Sequence, residues 1–191
     1  CCDGEGAVTE NDAKLLFSLF GAFTSWSPIV PRKPKELASH LAPFCRLIRD
    51  DVIESLKTPR SPMRSLKDEI RNLLFPDADD FRFADAYAQT VIFALLLAHL
   101  EKADVLDLRD AYETLYKHHS LLSRSLEFLT DKEARKEIST SLSLVQRVIH
   151  ATPREAFVAK GDGSDPWLFF YEDFLAAYDP ELRKRAGVYY T

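Results

Sequence analysis

The spacing of apolar residues predicts helices along most of the chain. Between residues 35 and 56, large apolar side chains recur every three or four positions, which places them on one face of a helix. Pro43 interrupts that face. Because proline removes a backbone donor and crowds the preceding turn, we expect a kink or a break near Leu41. The stronger part of this helix should therefore run from about Pro43 onward.

A second helix is predicted after a short turn. Ser61 is expected to be its N-cap and Pro62 to occupy its first turn, because serine accepts from free amides and proline lacks one. Pro76 should end it. The side chains expected to face inward are Met63, Leu66, Ile70, Leu73 and Leu74.

The segment 80–100 is apolar nearly all round, from Phe81 onward, which is typical of a central helix enclosed by others. The acidic residues at its start suit the positive end of the helix dipole. Further along, Thr130 and Glu133 form a predicted capping box ahead of an apolar stripe. That stripe consists of Ile138, Leu142, Val145 and Ile149.

An aromatic-rich helix is predicted near the C-terminus. It should begin at Asp165 and Pro166, a favourable cap and first-turn pair, and end at Asp179, because Pro180 disfavours helical geometry there. Its aromatic residues could stack on nucleic-acid bases, but their spacing favours packing in a core. These residues are Trp167, Phe170, Tyr171, Phe174 and Tyr178.

No sizeable sheet is expected, since there are six glycines and no sustained apolar and polar alternation. We therefore predict an all-α fold, an irregular helical bundle of about six to eight helices with a C-terminal arm. The predicted organisation is an N-terminal flank at 1–33, the bundle at 34–164 and the arm at 165–191.

Composition narrows the class of protein. The 46% hydrophobic and 29% charged residues are typical of folded globular chains. The longest apolar run, 91–98, is far shorter than the roughly 20 residues that cross a bilayer, so no membrane segment is expected. No secretory signal is visible, and a cytoplasmic location is predicted. Three cysteines without a CxxC motif indicate neither a disulfide framework nor structural zinc.

A basic stripe is the candidate contact for DNA. Arg60, Arg64, Lys67 and Arg71 are spaced by four, three and four, so the last three would share a helix face. The surrounding stretch 32–71 holds ten basic and six acidic residues. A solvated charged face is the commoner explanation, because the net charge of −5 gives no general attraction to nucleic acid.

Candidate catalytic and metal-binding residues are lacking. His118 and His119 are adjacent, so on a helix they point about 100° apart and cannot share a metal as an i, i+4 pair could. The other histidines are isolated in sequence, and none accompanies a nucleophile. We therefore assign no catalytic residue and no metal ligand.

The final stretch, YEDFLAAYDPELRKRAGVYYT, carries the one recognisable motif. It resembles the segment that leads into the N6-adenine methyltransferase domain of large fused restriction-modification and phage-defence enzymes. The match is close over residues 170–191. It is weaker over ELASHLAPFCRLIRDDV and FADAYAQTVIFALLLAHL, which resemble the helix after the family's nuclease-like domain and its central helical segment.

The resemblance implies that GVYYT is part of methyltransferase motif X, which borders the S-adenosylmethionine site. The matching residues are Gly187, Tyr189, Tyr190 and Thr191. The family's Asn-Pro-Pro-Tyr element and glycine-rich cofactor loop are missing from these residues, so the fragment alone should neither methylate DNA nor bind S-adenosylmethionine.

By the same resemblance, the chain is a helical connector that positions the missing methyltransferase domain and contacts the DNA backbone. DNA and an upstream nuclease or translocase are the implied partners of the parent enzyme, and the flank at 1–33 would be the end of an upstream nuclease-like domain. The alternative is a free-standing helical module that binds a protein partner and has no enzymatic role.

Overall fold

The computed structural model describes residues 10–24, 30–73, 79–157, 166–181 and 184. Within these residues the protein is entirely helical and contains no strand, which confirms the predicted all-α fold. The described residues form nine α-helices and one short 3₁₀ turn. They are α1 (Glu10–Thr24), α2 (Pro34–Lys57), α3 (Pro62–Leu73), α4 (Asp80–Leu100), α5 (Leu108–His118), α6 (Ser120–Leu129), α7 (Lys132–Glu137), α8 (Ser139–Ala151), the 3₁₀ turn (Arg154–Phe157) and α9 (Pro166–Tyr178).

The bundle is organised around α2 and α4. Helix α2 packs most extensively against α9 and α4, and it also contacts α8 and α3. Helix α4 packs in addition against α5, α6 and α8. Buried apolar side chains from α2 to α9 form a single core, so the described part of the chain from α2 onward is one packed unit.

A kink or a break was predicted near Leu41; helix α2 is continuous through Pro43, which excludes the break, while the kink stays a prediction. Pro43 is exposed, while Leu41, Ala42 and Cys45 beside it are fully buried. An interior proline costs about 3 kcal/mol because a backbone hydrogen bond is lost and the preceding turn is crowded. Burial of the apolar face against neighbouring helices, chiefly α9 and α4, offsets that cost.

Helix α3 begins as predicted. Ser61 precedes it, and its Oγ accepts from the amide of Arg64 at 3.0 Å. Met63, Leu66 and Ile70 are buried, which confirms the inward face. A carboxylate from α7 adds a long-range cap: Oε2 of Glu137 accepts from the amide of Met63 at 3.1 Å and from Oγ of Ser55. Pro76 and Leu74 lie outside the described residues.

Helix α4 is the central helix. Asp79 caps it by accepting from the amide of Arg82 at 2.7 Å, which confirms that the acids at its start serve the helix end. The helix was expected to be enclosed by others from Phe81 onward. This is wrong for Phe81 itself, which lies in the first turn and is 53% exposed. Among the described residues α4 alone is long and apolar enough to cross a membrane, yet most of its apolar stretch is buried in the bundle.

The predicted capping box at Thr130 is wrong by one residue. Asp131 is the N-cap of α7, and its side chain accepts from the amide of Glu133 at 3.0 Å. The hydroxyl of Thr130 instead donates back to the carbonyl of Leu126 at 2.5 Å. Of the apolar stripe that follows, Leu142, Val145 and Ile149 lie on α8, and Ile138 lies between α7 and α8. All four are buried as predicted, but the one helix expected here is divided in two at Ile138.

Helix α9 belongs to the bundle. Phe170, Phe174 and Tyr178 are buried against α2 and α4, which confirms core packing for these three aromatic side chains. Tyr171 departs from the predicted stripe because it is 41% exposed. The helix ends at Tyr178, next to Asp179, as Pro180 predicts. Helix α9, which the sequence assigns to the predicted arm at 165–191, is thus packed on the bundle.

Helix α1 differs from the others in its exposure. Five of its large apolar side chains are more than half exposed, up to 77% for Phe17. The five are Leu15, Leu16, Phe17, Leu19 and Phe20. An apolar helix face of this kind is typical of a surface that packs against another polypeptide.

Candidate functional site

The motif X residues lie outside the described residues. Gly187, Tyr189, Tyr190 and Thr191 follow the end of α9 by nine residues or more. Pro180, Glu181 and Lys184 have helical backbone. The role of the motif in cofactor binding stays a prediction.

The predicted DNA stripe is largely engaged within the bundle. Lys67 is 7% exposed, and its Nζ donates to the carboxylate of Asp80. The guanidinium of Arg64 donates to the carbonyl of Leu56 at the end of α2 and lies 3.9 Å from Asp80. Arg60 is exposed in the turn, with a φ of 64°. The backbone of Arg71 lies in α3, and its side chain is outside the described part of the chain.

These contacts limit what the stripe can do. A phosphate would have to compete with Asp80 for Lys67 and with a helix-end carbonyl for Arg64, whereas Arg60 is open to solvent. Charged hydrogen bonds of this kind are among the stronger interactions in proteins. The stripe therefore stabilises the junction of α2, α3 and α4.

A polar cluster joins the end of α9 to α2 and α4. Nη1 of Arg46 donates to the carbonyls of Ala177 and Tyr178, at 2.8 and 3.1 Å. The hydroxyl of Tyr178 donates to the carboxylate of Asp85 on α4. A cation at the last carbonyls of a helix complements both the unsatisfied acceptors and the negative end of the dipole. The cluster therefore anchors the last turn of α9.

Ring contacts strengthen this anchor. The guanidinium of Arg49 lies 5.2 Å from the ring centre of Phe81 and 5.7 Å from that of Tyr178. The Tyr178 ring stacks on Phe174 with centroids 5.3 Å apart. Cation–π contacts of this length are worth about 0.5–1 kcal/mol when exposed and more when desolvated. The exposed Phe81 thus covers one side of the anchor.

The Cys45 thiol and the Tyr178 hydroxyl at the anchor stay neutral. Burial raises the pKa of the Cys45 thiol to about 12, although a hydrogen bond with Tyr178 acts in the opposite direction. Burial also raises the pKa of Tyr178, and the nearby Cys45 and Asp85 add to that effect. Cys45 therefore behaves as a small apolar side chain, as the sequence predicts.

His99 ties the end of α4 to the end of α8. It is 4% exposed, and its Nε2 lies 2.8 Å from the carbonyl of Thr152. Because a carbonyl only accepts, Nε2 carries the proton and Nδ1 is unprotonated. Nδ1 is buried and has no hydrogen-bond partner among the described residues. Nε of Arg154 donates to the carbonyl of His99 at 2.7 Å, so two side chains hold this junction.

The buried His99 predicts a pH-dependent stability. Burial lowers its pKa, and the charges of Arg154 and His150 act in the same direction, while the Thr152 hydrogen bond and Glu155 oppose them. The folded protein thus resists protonation more than the unfolded chain does. The contribution of His99 to the free energy of unfolding should be constant above about pH 6.5, the pKa of a histidine in the unfolded chain. The free energy of unfolding should fall as the pH drops below that value.

Urea unfolding of the wild type and His99→Gln at several pH values between about 7.5 and 5.5 tests this expectation. Glutamine can still donate to the Thr152 carbonyl but does not titrate, so the variant should lose part of the pH dependence. His118→Gln, at an exposed position, is the matched control and should keep it. An unchanged pH dependence in His99→Gln would contradict the assignment.

The remaining histidines and acids form no metal centre in the part of the chain that the structure describes. His119 lies 3.5 Å from Glu101, and His150 lies 3.6 Å from Asp104. Both are partly or fully exposed ion-pair contacts. His118 is exposed and His119 is half-buried.

Sequence reasoning missed both the Arg46 anchor and the His99 junction. The paired residues are far apart in the chain, 131 positions for Arg46 and Ala177 and 53 for His99 and Thr152. No local motif links residues at such distances. Neither the position of Arg46 in α2 nor the aromatic residues of α9 indicates that Arg46 binds the carbonyls at the end of α9.

No family model matches the chain, and neither a curated protein nor a solved structure matches it. The methyltransferase resemblance therefore stays a prediction that depends on the C-terminal motif.

Proposed function

We propose that this chain is a helical connector of a DNA N6-adenine methyltransferase of the restriction-modification type. The observation that carries the proposal is the anchor at the end of α9. Arg46 and Asp85 hold Tyr178 onto two other helices, and Gly187 of the GVYYT motif follows nine residues later.

The anchor suits a positioning role because it fixes where the arm begins. An arm that starts from a buried, doubly hydrogen-bonded helix end has fewer orientations than one that starts from a frayed terminus. In the complete enzyme, residues Tyr190 and Thr191 would complete one side of the S-adenosylmethionine pocket. The reaction would be methyl transfer to the amino group of an adenine that has been rotated out of the duplex.

Reading the gene beyond Thr191 tests the proposal. We expect a proline next, then a glycine-rich cofactor loop and an Asn-Pro-Pro-Tyr or Asp-Pro-Pro-Tyr element. The complete protein should then transfer a labelled methyl group from S-adenosylmethionine to adenine in DNA. A continuing reading frame without these two elements, or a complete protein that transfers no methyl group, would overturn the proposal.

The second candidate is a helical protein-interaction module without enzymatic activity. The exposed apolar side chains of α1 favour it, since such a surface is stabilised by contact with another polypeptide. The two candidates differ in what the gene encodes after GVYYT. Under the second candidate, methyltransferase elements are absent, and removing the apolar side chains of α1 abolishes partner binding.

A further inference from the structure

The outer face of α8 has an unusual composition for this acidic protein. The helix contains no acidic residue. Ser139, Ser143 and Arg147 are spaced by four, so they share one face, and Thr140 lies beside them. All four are exposed or half-exposed. This surface therefore presents hydroxyl groups and a cation to solvent.

A groove of about 400 Å³ adjoins this face, between the start of α5 and the α7–α8 junction. Its cationic lining consists of Arg109, Arg135 and Lys136. Ser139 lines this groove and also the shallower depression that contains Ser143 and Arg147, so the two form one continuous surface. We call this the α7–α8 surface.

Hydrogen bonds inside the protein hold the groove in shape. Nε2 of Gln146 on α8 donates to the carbonyl of Val105 at 2.7 Å, which fixes the loop before α5 against α8. Asp107 is the acidic residue of the lining, and its carboxylate accepts from the amide of Arg109 at 2.9 Å as the cap of α5. Part of its charge is thus used at the helix end.

The cations of this surface are available to a ligand. Among the residues that the structure describes, no carboxylate lies within 4.0 Å of the guanidinium of Arg135 or Arg147, although the charge of Asp131 acts on Arg135 from beyond that distance. Lys136 pairs with Glu133 and Arg109 with Glu113, each at 2.9 Å within its own helix. Such exposed pairs contribute at most about 1 kcal/mol and exchange readily. Lys67 and Arg64 of the predicted stripe are, by contrast, committed inside the bundle.

We propose that the α7–α8 surface binds the phosphate backbone of duplex DNA without reading its sequence. Arginine, lysine, serine, threonine and glutamine side chains are the groups that contact DNA phosphates. The surface combines all five of these residue types, and two of its four cations, Arg135 and Arg147, have no carboxylate within ion-pair distance among the described residues. The choice of DNA as the polyanion rests on the proposed function. The DNA contact inferred here lies on α7 and α8, whereas the sequence predicted it on α3.

Fluorescence anisotropy with the 191-residue chain and labelled duplexes of two unrelated sequences tests the inference. The variant is Arg135→Glu with Arg147→Glu. Its control is Lys117→Glu with Arg124→Glu, the same change of charge at two exposed positions on α5 and α6. At about 50 mM salt, distant charges are partly screened, so a difference between the two variants reports on location.

We expect the wild type to bind both duplexes alike and Arg135→Glu with Arg147→Glu to bind at least about tenfold more weakly. The control should lose less than about threefold. Arg135→Gln with Arg147→Gln should give a smaller loss in the same direction, and circular dichroism should show that all variants are folded.

Two results would overturn the inference: no binding by the wild type at this salt concentration, or equal losses in the variant and the control. Neither result bears on the connector proposal, which the gene sequence beyond Thr191 decides separately.

Discussion

Phe174→Ala should lower the free energy of unfolding by about 3–5 kcal/mol, the largest effect we expect from one substitution. Phe174 is fully buried, and its ring centre lies 5.2 Å from that of Phe93 on α4 and 5.3 Å from that of Tyr178. Alanine would remove these ring contacts and leave a cavity between α4 and α9. Alanine is also the best helix former, so helix propensity does not contribute to the loss.

Tyr171→Ala is the matched control for this prediction. Tyr171 lies on the same helix and contacts the same Phe93 ring, with centroids 5.9 Å apart, but it is 41% exposed. Its replacement should cost about 1 kcal/mol, near the average for point substitutions. Urea unfolding measures both. If Phe174→Ala cost no more than Tyr171→Ala, α9 could not be a core helix of the bundle.

Arg46→Met should lower the free energy of unfolding by about 1.5–3 kcal/mol, the second-largest effect. Methionine keeps an apolar stem of similar reach but removes the guanidinium, so the carbonyls of Ala177 and Tyr178 lose a charged donor. The negative end of the α9 dipole also loses its nearby cation. Hydrogen exchange should accelerate most at the last turn of α9.

Arg124→Met is the control for this substitution, because Arg124 is an exposed residue of α6. Its effect should stay within about 0.5 kcal/mol. Equal effects of Arg46→Met and Arg124→Met would show that the guanidinium does not hold the end of α9.

Features that depend only on residues close together in the sequence were predictable. The start of α3 at Ser61 and Pro62 and the end of α9 before Pro180 follow from the local chemistry of serine and proline, and the structure confirms both. The inward faces of α3 and α8 follow from helical periodicity in the same way.

The errors arose where tertiary packing decides the outcome. Burial against neighbouring helices, chiefly α9 and α4, keeps α2 continuous through Pro43, and no local rule anticipates this. Thr130 and Asp131 are both good caps, and only the path of the backbone selects Asp131. Phe81 is apolar yet exposed, because its position in the first turn of α4 places it under Arg49 and not inside the core.

In the candidate sites, too, the local features were predictable from the sequence and the tertiary contacts were not. The spacing of Arg64 and Lys67 on one helix was readable, but their partners Leu56 and Asp80 were not, since neither contact follows helical spacing. The α7–α8 surface combines residues from three helices, and it could not be assembled without the fold. The assignment of GVYYT to motif X remains a prediction from sequence.

The central claim is that α9 is an integral part of the bundle and therefore fixes where the C-terminal arm begins. Native-state hydrogen exchange tests it most directly, because it measures the opening free energy of each helix separately. We predict that the amides of Leu175 to Tyr178 exchange only through global unfolding, with the same free energy as the buried amides of α2 and α4. If these α9 amides exchanged through a local opening several kcal/mol below the global value, the arm would be hinged and the claim contradicted.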